Sequence, residues 1–203
     1  MKKLIIASNN QGKINEIKKV LNDMPINVFS LKDIGLDIDV EEDGITFEEN
    51  AKKKSEEIYK ELIKRGESNF IVMSDDSGLE VEYLNGEPGV YSARYAGEHG
   101  NDKKNNEKLL LNLKGVSYDN RSARFVCQLA LINDKNIYKS VTGTVNGYIL
   151  EEERGYDGFG YDPLFLYEPL NKTFAELTID EKNDISHRGI ALKKISAVIK
   201  EFL

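Results

Sequence analysis

Five stretches of the chain carry side chains whose types and spacing could do polar chemistry. Ser8-Asn9-Asn10-Gln11-Gly12-Lys13 combines small polar groups, a glycine and a lysine directly after an apolar run. In front of a helix, such a loop offers free N–H groups and a cation to an oxyanion, phosphate being the obvious candidate. It is not a P-loop, which would need Gly where Ala7 stands and Ser or Thr where Ile14 stands. An Asn-rich capped turn would use the same residues.

Asp75-Asp76 and the run Glu41-Glu42-Asp43 offer hard oxygen donors of the kind that Mg²⁺ takes in ones and twos, with water and phosphate completing its shell. Asp75-Asp76 follows F-I-V-M, so the pair reads as the end of a buried strand, the place where α/β sheets bind ligands. A cation there would offset the repulsion of adjacent carboxylates. Without a ligand, Glu41-Glu42-Asp43 reads as a solvated loop and one aspartate as a cap of the Ser77-Gly78 turn. Gly158 to Pro163, G-F-G-Y-D-P, sets aromatics between turn-forming residues. It lacks the G-x-G-x-x-G of dinucleotide sites, and Phe159 would either stack on a planar base or pin its loop to the core. Lys182 and Ser186-His187-Arg188-Gly189 add donors and a fork-shaped guanidinium suited to phosphate or a base edge, or to a surface salt bridge. His99 reads as an exposed loop residue.

The elements that must position these groups follow from periodicity. Lys2 to Ala7 is strand-like, and Ile14, Ile17, Val20 and Leu21 share a helical face. A second strand is expected at Asn27 to Leu31. Thr46 with Glu49 forms a capping box for a helix reaching about Arg65, with Phe47, Ala51, Ile58, Leu62 and Ile63 inward and Gly66 as its stop. A strand at Phe70 to Met73, an acidic turn, and an alternating segment Leu79 to Leu84 before Asn85-Gly86 come next. Pro88 to Gly97 reads as an ordered loop, Lys103 to Leu113 as a helix, and Ala123 to Ile132 with Ile137 to Ile149 as an antiparallel hairpin. Thr178 with Glu181 caps another helix, and Leu192, Ile195, Val198, Ile199 and Phe202 line a last one. Early strand-helix-strand order followed by a hairpin points to a mixed sheet covered by helices.

With 203 residues, 40% apolar and 31% charged, one ordered domain is expected rather than a disordered chain. No apolar run nears the ~20 residues of a membrane span and the N-terminus turns polar too soon for a signal peptide, so a cytoplasmic protein is expected. The lone Cys127 reads as a small buried hydrophobe in a reducing compartment. A net charge of −7 argues against nucleic-acid or membrane partners and requires any polyanion to be met by placed cations or a metal.

Taken in order, S-N-N-Q-G-K-I-N-E-I (8–17), E-E-D-G-I-T-F-E-E-N-A (41–51), S-D-D-S-G-L-E-V (74–81), G-E-P-G-V-Y-S-A-R-Y-A-G (86–97), G-F-G-Y-D-P-L-F (158–165) and S-H-R-G-I-A-L (186–192) are spaced along almost the whole chain. The chain closely resembles the inosine triphosphate pyrophosphatase family, which removes non-standard purine nucleotides such as ITP, dITP and XTP. The resemblance implies an α/β fold, a two-lobed single domain over residues 1–203 with a long mixed β-sheet flanked by helices and the active site in the cleft between lobes, usually as a homodimer. It implies that Ser8, Asn9, Asn10, Gln11, Gly12 and Lys13 form a substrate loop with Lys13 on the triphosphate. Glu41 and Asp76 are the implied magnesium carboxylates, Asp76 also the proton acceptor. Ser77, Phe159, Gly160, Tyr161, Asp162, Lys182, His187 and Arg188 match substrate-contacting positions, with Phe159 on the base.

The implied reaction is Mg²⁺-dependent hydrolysis between the α- and β-phosphates, giving a monophosphate and pyrophosphate, with Lys13 and Lys172 neutralising the leaving group. Asp76, or failing it Asp75, would act on the attacking water. Hypoxanthine and xanthine present O6 and N1–H where adenine reverses both, so a closed polar pocket would leave groups unpaired with ATP, and each buried mismatch costs about 1–3 kcal/mol, enough in combination for large discrimination. A pyrophosphatase for modified pyrimidine nucleotides and a nucleotide sensor without turnover are the alternatives.

Overall fold

The computed structural model describes residues 1–203. Its first strand, β1 (Lys2–Ala7), is buried along Leu4-Ile5-Ile6-Ala7, as a central parallel strand must be. β1 pairs in parallel with β2 (Ile26–Ser30) on one side and β3 (Phe70–Val81) on the other. Beyond β3 lie β4 (Ser122–Asn133), β5 (Tyr138–Ile149), β6 (Phe165–Tyr167) and β7 (Lys172–Thr173), giving the order β2-β1-β3-β4-β5-β6-β7. The pairings β5 with β6 and β6 with β7 are antiparallel, so the sheet is mixed, as expected from the sequence.

Five α-helices flank it: α1 (Gln11–Leu21), α2 (Phe47–Lys64), α3 (Asp102–Asn112), α4 (Ile179–Ile185) and α5 (His187–Phe202). The α2 capping box is present, with the Glu49 N–H donating to Thr46 Oγ1 and the Thr46 N–H to Glu49 Oε2. The helix stops where expected. Gly66 has φ +75°, its N–H donates to the Ile63 carbonyl and the Glu67 N–H to that of Leu62, the paired bonds of a Schellman ending.

The chain divides into two compact units, Met1–Asp76 with Cys127–Gly143 and Arg188–Leu203, and Ser77–Val126 with Thr144–His187. In the first, alternate residues of each strand serve opposite faces. Leu4, Ile6, Ile71, Met73, Cys127, Leu129 and Leu131 pack with Ile14, Ile17 and Leu21 of α1 and Leu192, Ile195 and Ile199 of α5. Ile5, Ala7, Phe70, Val72 and Ile132 pack with Ile58 and Leu62 of α2. The second unit has its own core, in which Leu109 and Leu113 close on Leu79, Val81, Val145, Ile149, Phe125, Phe165 and Phe174.

Several sequence expectations shift. The strand at 70–73 does not end in an acidic turn: β3 runs unbroken through Ser74-Asp75-Asp76-Ser77-Gly78 to Val81, and both aspartates are buried inside it. The segment to Leu84 leaves the sheet earlier, in a 3₁₀ turn at Glu82–Leu84, and Gly89–Arg94 is a further 3₁₀ turn within the expected loop. β2 starts at Ile26, and Ile63 is 44% exposed rather than inward. β6 and β7 escaped prediction because runs this short carry no periodicity.

Candidate active site

The loop after β1 is organised by its own side chains. Asn10 caps α1, its Oδ1 accepting from the Lys13 N–H at 3.0 Å, and Ser8 Oγ accepts from the Asn10 N–H at 3.2 Å. Asn9 Nδ2 donates to the Ile38 carbonyl and Gln11 Nε2 to Asn15. Asn9, Asn10 and Gln11 are exposed, Ser8 and Gly12 half-buried, and Lys13 turns inward so that its Nζ lies 2.6 Å from Asp75 Oδ1.

Asp75 is the hub of the first unit. Arg188 Nε reaches its Oδ2 at 2.8 Å, and the Cys127 thiol donates to the same oxygen at 3.3 Å. Arg188 also holds Glu16 through Nη1 at 2.5 Å. Complete burial alone would drive Asp75 towards its neutral acid, but the Arg188 and Lys13 cations outweigh it and hold the carboxyl well below the usual range. Burial likewise opposes the Arg188 charge, which Asp75 and Glu16 more than restore. Arg188, whose motif suggested a substrate contact, is thus fully buried between two carboxylates, with Cys127 and Glu16 as partners that short-motif reading assigned no role.

Asp76, its neighbour on β3, is in a different state. Its Oδ1 takes Lys54 Nζ at 3.3 Å, whereas its Oδ2 is buried without a hydrogen-bond partner. Burial raises its pKa, against the opposing fields of Lys54 and Lys13, and Glu42 adds to the rise. Lys54 also donates to Glu42 Oε1 and to the Asp75 carbonyl, both at 2.7 Å. Burial works against its ammonium, but Asp76 and Glu42 prevail and its pKa is raised. Lys54 was missed from the sequence, though a signal existed: it sits with Phe47, Ala51 and Ile58 on the buried stripe of α2. Asn50, on the same stripe, accepts from the Gly44 N–H at 2.8 Å, and a Cβ at Gly44 would collide with that amide. So the acidic loop is tied to α2, and Glu42 rather than the exposed Glu41 is the member that reaches the buried lysine.

The second unit holds the other predicted residues, including half-buried Ser77. Lys182 Nζ lies 2.6 Å from Asp162 Oδ2, with both side chains 3% exposed, and stands 4.6 Å over the Phe159 ring. Asp162 Oδ2 also accepts from the Phe159 N–H at 2.9 Å, and Gly158, at φ +81°, leaves the space that its carboxylate fills. Tyr161 is buried, its hydroxyl donating to the Ser92 carbonyl at 2.8 Å. His187 opens α5 and stacks on Phe125 at 4.7 Å. Lys172 is exposed and pairs with Glu181 at 3.7 Å.

The first unit carries a capped anion loop and a strand with one locked and one partly uncommitted carboxylate, the second a ring under a buried ammonium, and the mixed seven-stranded sheet with its helices puts the chain in the broad class of α/β proteins. Comparison with known proteins narrows it, and the chain belongs to the Ham1 family, whose model matches residues 4–198. It is 59% identical over 203 residues to a dITP/XTP pyrophosphatase of Clostridium perfringens, covering 100% of both chains, and 50% identical over 200 residues to that of Bacillus subtilis, covering 98% of each. Among solved structures, the Ham1 protein of Staphylococcus aureus shares 46% identity at a TM-score of 0.84, with 98% of this chain and 99% of that one covered. A HAM1 protein from Coxiella burnetii shares 38% identity at 0.85, with 99% and 100% covered. The resemblance read from the six motifs is borne out. No helix is long and apolar enough to cross a membrane.

Proposed function

We propose that the chain is a nucleoside triphosphate pyrophosphatase that hydrolyses non-standard purine nucleotides, ITP, dITP and XTP, to the monophosphate and pyrophosphate. The enzyme class rests on full-length relatives named dITP/XTP pyrophosphatase. The observation that carries the mechanism is the contrast between Asp75 and Asp76. One is committed to Arg188, Lys13 and Cys127; the other is buried with an oxygen uncommitted and its pKa raised.

That orphaned oxygen fits a hard divalent cation, which Asp76 would hold together with Glu41 of the acidic loop. A bound magnesium ion supplies neutralisation of the phosphate oxygens. Asp76 orients the attacking water and takes its proton, a role open to it because one of its oxygens is uncommitted, whereas Asp75 is bound to Arg188, Lys13 and Cys127. Lys13, held by Asp75 at 2.6 Å, and Lys54 place positive charge where charge develops on the leaving pyrophosphate. Phe159, backed by Lys182, offers the planar base a stacking face. The same reading assigns the protein to the cytoplasm as a homodimer, which sedimentation velocity would test.

Product analysis with ITP, XTP, GTP and ATP, with and without Mg²⁺, tests the whole. Equimolar IMP and pyrophosphate, formed from ITP only with the metal, is the expected result. Orthophosphate release, or no turnover, overturns it.

A further inference from the structure

The segment Gly158 to Asp162 has no regular secondary structure of its own, so something must fix its shape. Within the segment, the Asp162 carboxylate accepts from the Phe159 N–H and the Asp162 N–H donates to the Phe159 carbonyl at 3.3 Å. The remaining support of its middle residue comes from α3. Asp102 Oδ2 accepts from the Gly160 N–H at 2.7 Å, and Asn106 Nδ2 donates to the Gly160 carbonyl at 3.2 Å. These residues stand four apart, one above the other on a single helix face. Together they offer an acceptor and a donor to the donor and acceptor of one glycine.

The clamp is itself anchored. Asn106 is 3% exposed, and its Nδ2 also donates to Glu153 at 3.0 Å, which fixes which way the amide faces. Asn101 caps α3 through the Lys104 N–H, so Asp102 is held on the first turn. Gly160 has φ +62°, a conformation that a glycine adopts without strain, and its backbone groups are therefore free to be set by these partners.

We infer that Asp102 and Asn106 form a backbone clamp on Gly160 that holds the Phe159 ring in its base-receiving position, making them positioning residues for substrate affinity rather than for bond cleavage. The inference rests on the reading of Phe159 as the base-stacking residue. The hydrogen bonds of the two side chains go to Gly160 and Glu153 and not to the carboxylates and lysines assigned to the chemistry, so removal of the clamp is expected to loosen the ring and leave those groups in place.

The experiment compares Asp102→Ala, Asp102→Asn and Asn106→Ala with the wild type, using ITP and Mg²⁺ as probe and amide hydrogen exchange at residues 158–162 as a readout independent of turnover. Loss of one hydrogen bond to a partly exposed carboxylate is expected to raise KM by about five- to tenfold, with kcat little changed. Asp102→Asn, which keeps an acceptor for the Gly160 N–H, is expected to restore most of the affinity. Exchange at Phe159 to Tyr161 is expected to quicken in both alanine variants. An unchanged KM with unchanged exchange overturns the clamp, and so does an equal fall in kcat and Tm that asparagine fails to rescue. If the wild type turns over none of the nucleotides, the functional reading fails instead, and the exchange result alone then decides whether the clamp stands.

Discussion

At the scale of residues, adjacency in sequence conceals opposite chemistry. Asp75 and Asp76 share a strand, yet Arg188, Lys13 and a thiol lock the first, while burial raises the pKa of the second and leaves one oxygen bare. Asp76→Asn is accordingly expected to lower kcat by about 10²- to 10⁴-fold, the range for removing a general base, without lowering Tm. Arg188→Met should act in the reverse sense. It takes the guanidinium away from two buried carboxylates, Asp75 and Glu16, and breaking such a pair costs about 3–5 kcal/mol, measurable as a lower urea midpoint. The residue types of both aspartates were legible in the sequence, but their difference was not. It depends on Lys13, Lys54, Cys127 and Arg188, which come from distant segments and are brought together only by folding.

At the scale of elements, the readable parts are those that local physics decides. β1 declares itself by an apolar run, and α2 by a capping box at one end and a glycine at the other. Thr46→Ala should cost about 1 kcal/mol of stability in urea titration and leave KM for ITP unchanged, since the cap serves the helix and not the substrate. β3 was misread for a physical reason. Ser74 to Gly78 has the composition of a turn, and only neutralisation by cations from α1, α2 and α5 lets two carboxylates lie inside a buried strand. Lys54 is the complementary case: a lysine on the apolar stripe of a helix signals a buried partner, even when that partner cannot be named from sequence.

At the scale of the whole molecule, the division into units does not follow the order of the chain. The core of the second unit draws Leu79, Leu109 and Phe125 from one segment and Val145, Phe165 and Phe174 from another. A fragment limited to Ser77–Val126 therefore leaves that core half-built, and its circular dichroism is expected to be that of an unfolded chain. The fold class was nevertheless legible, because alternation of β and α segments followed by long strands constrains architecture more tightly than it constrains boundaries.

The contact between Cys127 and Asp75 has a practical consequence. This is the only sulfhydryl in the chain, it has no exposed surface, and it touches the centre of the charge network. A thiol-reactive dye can reach it only when that part of the core opens, so its labelling rate times the breathing of the first unit with no engineered probe. Inorganic pyrophosphate, if it binds beside Lys13, should slow the clock.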